Sequence, residues 1–125
     1  VYNELGFGFL ESVYEEAMKI ALEAKRLKVE QQVPVLVWFR GRKIGHFEAD
    51  LLINDLIIIE LKSVRAIDDA HIVQLLNYLR ATEIEVGLVL NFGHKAEFKR
   101  KAFDNIRKKR LPNDKSMIEN LLSED

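Results

Sequence analysis

Cysteine is absent from all 125 residues. Its absence excludes disulfides, thiolate zinc centres, cysteine-ligated iron–sulfur clusters and a cysteine nucleophile. It also fits a cytoplasmic protein, and that is the expected setting. Long apolar runs are missing as well. Segments such as Val35–Phe39 and Leu56–Ile59 are strand-sized, far short of the roughly 18 residues a membrane span needs. Charges interrupt the first 28 residues, so no signal peptide is legible and no membrane contact is expected. His46 and His94 have no cysteine partners and form no zinc pattern. A glycine-rich phosphate loop is missing too, which weighs against a small-molecule phosphohydrolase. Net charge is −1, so the chain as a whole is not a generic polyanion binder.

What is present is an ordinary globular balance, 48% hydrophobic and 31% charged. The length is about one domain's worth and enough to bury a core, so one domain over residues 1–125 is expected. Charge is spread unevenly. Lys95, Lys99, Arg100, Lys101, Arg107, Lys108, Lys109 and Arg110 stand against only Glu97 and Asp104. This basic C-terminal segment, 95–125, reads either as a track for a phosphate backbone or as a solvated helix or tail. On the first reading Lys99 and Arg100 contact substrate.

Periodicity predicts a helix over residues 1–27, with Leu10, Val13, Tyr14, Ala17, Ala21 and Ala24 as its apolar stripe. Gly6 and Gly8 make its start uncertain. Val29–Phe39 reads as a strand in which Pro34 marks an edge or a bulge. A turn over Arg40–Lys43 leads to a second strand, Ile44–Ile53. After Asn54-Asp55 comes a third, Leu56–Lys62, apolar toward both faces as in a central strand. Asp68 or Asp69 caps a helix to about Ala81. Val86–Asn91 is a fourth strand. Lys95–Phe103 reads equally as strand or helix. Pro112-Asn113 is a break, and 116–122 a terminal helix. The order points to an α/β sandwich with a mixed central sheet of four to five strands flanked by helices.

Chemistry concentrates at Asp50, Glu60 and Lys62. Glu60 and Lys62 stand two apart in an otherwise apolar strand and so share a face. Burying such charges costs several kcal/mol each unless they pair or hold a metal. If the preceding loop has three residues, Ile53 pairs with Ile57 and Asp50 falls opposite Glu60, on the same face. A two-residue loop would split the carboxylates. Two carboxylates on adjacent strands, with the Leu61 carbonyl between Glu60 and Lys62, make an oxygen-rich site for Mg²⁺ or Mn²⁺. Such an ion activates water and polarises a phosphodiester, with Lys62 orienting the water or neutralising charge on phosphate. The competing reading is a salt bridge from Lys62 to Asp50 or Glu60.

These motifs resemble the PD-(D/E)XK nuclease superfamily, and within it the family named for a GxxExxY signature, here Gly8-Phe9-Leu10-Glu11-Ser12-Val13-Tyr14. The likeness runs from about Gly6 to Gly93. It takes in Ala49-Asp50-Leu51-Leu52, Ile59-Glu60-Leu61-Lys62, Gln74–Leu79 and Gly87–Gly93. Ala49 stands where the superfamily name places proline. The resemblance implies a restriction-endonuclease-like fold, metal binding at Asp50 and Glu60, and a catalytic lysine at Lys62. The expected function is therefore a metal-dependent nuclease acting on DNA or RNA. The alternative is a non-catalytic module of the same fold that binds nucleic acid or a protein.

Gln74-x-x-x-Tyr78 looks like the Gln-x-x-x-Tyr motif of RecB-like exonucleases, which implies site support and DNA contact. Glu11 is a further candidate metal ligand or a solvated acid, and Tyr14 a support residue on the same helix. His71 reads as a general base, a metal neighbour or a surface histidine. Asn91 lines the cleft or caps a turn. Trp38 and Phe39 are either core or the interface of a homodimer.

Overall fold

The computed structural model describes residues 1–105. The segment 116–122, expected as a helix, and the cations from Arg107 to Arg110 lie outside them. Two helices replace the single N-terminal one: α1, Tyr2–Leu5, and α2, Glu11–Glu23. The break has a local cause. Gly6 and Gly8 both take left-handed backbone, at φ 68° and 107°, which glycine adopts without a Cβ clash. The inward face of α2 also differs from the expected stripe. Tyr14, Met18 and Leu22 pack into the core, while Leu10 and Val13 are exposed. Leu10 precedes the first helical turn, so its place in the stripe is lost.

Five strands form one sheet in the order β1-β2-β3-β4-β5. They are β1 Val29–Phe39, β2 Arg42–Ile53, β3 Ile57–Lys62, β4 Val86–Phe92 and β5 Ala96–Ala102. The β1–β2 turn is shorter than expected. Phe39 pairs with Arg42, leaving Arg40 and Gly41, both left-handed, as a two-residue hairpin turn. Pro34 lies on an edge strand, where its missing N–H costs no ladder bond. Phe39 lies on that edge too, exposed, with the Arg40 guanidinium over its ring. The ambiguous segment after Gly93 is strand β5. Only β3 and β4 run parallel, joined through α3, Asp69–Ala81. The sheet is therefore mixed, with a helix against each face, as the α/β reading expects.

Two apolar clusters fill the two sides. Tyr14 of α2 packs with Leu51, Ile53, Ile59, Leu61 and Phe92. Leu75, Tyr78 and Leu79 of α3 pack with Val35, Ala49, Ile58 and Val89. Strand alternation divides β3 cleanly: odd residues face α2, even residues face α3. On β2 the alternation fails. Ala49 and Leu51 are two apart yet belong to opposite clusters, so the strand changes face at Asp50. Next to it on β1, Gln32 is left-handed at φ 49°. A kink in both strands thus turns the hairpin over the sheet at the level of Asp50.

Candidate active site

The loop between β2 and β3 determines whether the two carboxylates can meet. Asn54 and Asp55 are both left-handed, which Asn and Asp tolerate better than other side-chain-bearing residues. The Leu56 N–H closes the turn on the Ile53 carbonyl, and Ile53 pairs with Ile57. Leu56 therefore stands outside the ladder and makes the loop odd. Pairing continues through Leu52–Ile58 and Leu51–Ile59, then stops. Where the strands part, each carboxylate takes an amide of the opposite strand. The Leu61 N–H donates to Asp50 Oδ2 at 2.7 Å, and the Asp50 N–H donates to Glu60 Oε1 at 3.3 Å. The side chains thus replace the lost ladder bonds, and that replacement brings the two acids together.

Glu60 is 4% exposed. Burial, then the charge of Asp50, pushes its carboxyl up to about 8, against the opposing pull of the Asp50 N–H and Lys62. Tyr78, buried above the same acids, is pushed up to about 12 by its own burial and then by Glu60 and Asp50. The excess negative charge at this point is therefore felt by two separate side chains. The salt-bridge reading of Lys62 does not hold. Among the described residues the ion pairs within 4 Å are Lys28–Glu30, Lys28–Asp55 and His71–Asp68. Lys62 instead donates to Gln74 Oε1 at 3.2 Å, and Gln74 opposes the upward push on the Tyr78 hydroxyl. Gln74 and Tyr78 thus reach the site from α3. Tyr78 is buried.

Other expected residues fall elsewhere. The Glu11 carboxylate accepts from the Ser63 N–H at 2.9 Å. It ties the start of α2 to the residue after Lys62. Among the described residues no three Asp, Glu or His side chains gather as a metal cluster, so Glu11 does not join Asp50 and Glu60. Tyr14 is fully buried on the α2 side of the sheet. Its ring stacks on Phe92 at 4.3 Å and its hydroxyl donates to the Gly6 carbonyl. It supports the 6–10 loop and cannot touch a substrate. Glu11 and Tyr14 pin that loop beside the end of β3, and Gly8 supplies one of its left-handed turns.

Alternation separates Lys99 from Arg100. Glu60 pairs with Val89 and Val89 with Lys99, so Lys99 shares the face of the carboxylates two strands away. Arg100 pairs with Leu88 and takes the opposite face. His71 closes a capping box with Asp68, its Nδ1 accepting from the Asp68 N–H. It is a helix cap rather than a base at the site.

Two positioning residues stand out from the structure. Asn91, buried beside Lys62 in register, clamps both backbone atoms of Val64. Its Oδ1 accepts from Val64 N and its Nδ2 donates to Val64 O, each at 2.9 Å. A polar residue ending an apolar strand was the visible signal for it. Gln32 was missed. Its amide donates to Glu15 Oε1 at 2.6 Å and to Asp50 Oδ1 at 3.4 Å. Nothing in a valine-rich strand announces a left-handed glutamine.

The donors that the structure brings together fit a hard divalent cation: two converging carboxylates, all oxygen, one of them a buried acid whose ionised form a cation would favour. A model of the PD-(D/E)XK nuclease superfamily matches residues 1–101. The crystal structure of SSO0001 is similar, with a TM-score of 0.59 at 17% identity, covering 90% of this chain and 56% of that one. At that identity the likeness speaks for the fold alone, and the chain spans little more than half of SSO0001. No curated protein matches the chain.

Proposed function

The chain belongs to the PD-(D/E)XK nuclease superfamily, and from that premise we propose that it hydrolyses phosphodiester bonds, in DNA before RNA, with Mg²⁺ or Mn²⁺ bound at Asp50 and Glu60. The observation that carries this reading is the carboxylate exchange across the parted strands, with Lys62 projecting from the same face of β3. Within the superfamily we place it in the GxxExxY group, because Gly8, Glu11 and Tyr14 have a shared task in the loop beside β3.

Asp50, Glu60 and the Leu61 carbonyl would hold the cation, which when bound supplies a Lewis acid and lowers the pKa of water. The remaining roles belong to the protein. Lys62 presents its ammonium toward the reacting phosphate, where it compensates charge that grows in the transition state. Gln74 holds that ammonium through Oε1. Asn91 and Glu11 fix the backbone just past Lys62 at Val64 and Ser63, so the lysine extends from a fixed strand end.

Cleavage of labelled single- and double-stranded DNA and RNA, with and without Mg²⁺ or Mn²⁺, tests the reading. Cutting should require the metal and be lost in Lys62→Ala. Binding without cutting under every metal would instead favour a non-catalytic nucleic-acid module.

A further inference from the structure

One cleft of the described residues contains none of Asp50, Glu60 and Lys62. It opens beside them, about 950 Å³ in volume, at the carboxyl ends of the parallel strands β3 and β4. That crevice is where open α/β sheets commonly receive ligands. Ser63, Val64 and Arg65 form one wall, Gly93, His94 and Lys95 another, and Phe7 reaches over from the 6–10 loop.

Three features give the cleft a chemistry. First, it is basic in a chain of net charge −1: Arg65 and Lys95 line it, and none of its lining residues is acidic. Second, it carries an exposed aromatic pair. The Phe7 ring lies 4.2 Å from that of His94, and Phe7 is 54% exposed. Third, its walls are held in place. A Cβ on Gly93 would meet the Val64 carbonyl at 2.0 Å, so only glycine lets the two walls approach this closely. Asn91 clamps Val64 from below, and the Tyr2 hydroxyl donates to the carbonyls of Gly93 and His94 at 2.7 and 2.9 Å.

Cations that track phosphates, combined with rings on which bases stack, are how proteins grip single strands. We propose that this cleft holds an unpaired nucleotide next to the phosphodiester that is cut, its base against Phe7 and His94 and its phosphate on Arg65 and Lys95. The nucleotide's place beside the cut phosphate rests on the nuclease reading of the neighbouring site; the binding itself does not. A base within a duplex has both faces covered by its neighbours and cannot use the rings. The cleft therefore selects single strands, frayed ends or flaps.

The test is fluorescence anisotropy of a short labelled oligothymidylate, and of a blunt duplex of equal length, in metal-free buffer. The parent should bind the single strand more tightly. Phe7→Ala should weaken single-strand binding roughly tenfold and leave duplex binding and the thermal midpoint unchanged. An Arg65→Ala, Lys95→Ala double variant should weaken single-strand binding and flatten its salt dependence by about 0.7 per lost phosphate contact. Equal affinity for both forms, no measurable binding by the parent, or variants that bind like the parent would each overturn the proposal. Cleavage with Mg²⁺ or Mn²⁺, measured separately, keeps the two readings apart. Phe7-dependent binding without cutting leaves the cleft assignment standing and removes the nuclease reading. Cutting by a Phe7→Ala variant that also binds like the parent does the reverse.

Discussion

Strand β3 shows Ile57, Ile59 and Leu61 to α2, and Ile58, Glu60 and Lys62 to α3. The backbone is shared, yet the two faces differ in kind. Toward α2 every β3 side chain packs, and the Tyr14 hydroxyl is spent on a loop carbonyl. Toward α3, apolar packing stops one residue before the strand's end region and two charges follow. Damage to the first face should appear as lost stability with unchanged chemistry. Damage to the second should appear as lost chemistry with a fold that survives.

Tyr14→Ala is the largest test of this contrast. It empties a fully buried aromatic site and should cost about 3–5 kcal/mol, read by urea unfolding. Tyr14→Phe keeps the ring and loses the hydroxyl's bonds to the Gly6 carbonyl and the Phe9 N–H. It should cost about 1 kcal/mol and leave the cleavage rate unchanged. Lys62→Ala is the mirror image: cleavage should fall by roughly 10²–10³, with a thermal midpoint close to the parent's. A large loss of stability in Lys62→Ala, or of rate in Tyr14→Phe, would break the division between faces.

Glu60 sharpens the comparison, since it is a chemical group set in a packed position. Its folded carboxyl lies near 8, above its ordinary 4.5, so the folded state holds a proton that the unfolded state releases. Its contribution is complete below about 4.5 and is lost as pH rises through about 8. Without metal, stability should therefore decline across that window by an order of a few kcal/mol. Glu60→Gln, which mimics the protonated acid, should flatten the decline in urea unfolding at a series of pH values. A profile that Glu60→Gln leaves unaltered would remove the buried acid as its source. The smallest effect should come from Gln74→Ala. Losing the Lys62 bond should lower kcat by about tenfold, as removing outer support typically does, with little change in stability.

Much of the fold was legible because period and turn chemistry agree along the chain. The valine-rich run of β1, the two-sided apolar run of β3 and the Asp68 cap each state a local preference that the fold obeys. Asp50 facing Glu60 was legible as a condition on loop length, and Leu56 standing outside the ladder meets it. The misreadings have common physical causes. The expected helix was extended through Gly6 and Gly8, although its apolar stripe begins only at Leu10, and periodicity does not register a backbone break. The charge run at Lys99-Arg100 said nothing about faces until the segment proved to be a strand, which sends neighbours to opposite sides. Gln32 and the full burial of Tyr14 depend on contacts between elements distant in sequence, and local patterns carry no trace of those.

The central claim is that Asp50 and Glu60 share one divalent cation. Its most direct test is titration of the metal-free protein with Mn²⁺, followed by electron paramagnetic resonance at a pH above 8, where Glu60 is ionised. The parent should bind one ion per chain in the millimolar range, and both Asp50→Ala and Glu60→Gln should abolish that binding. Mn²⁺ binding that either variant leaves intact, or a parent that binds none, would contradict the account.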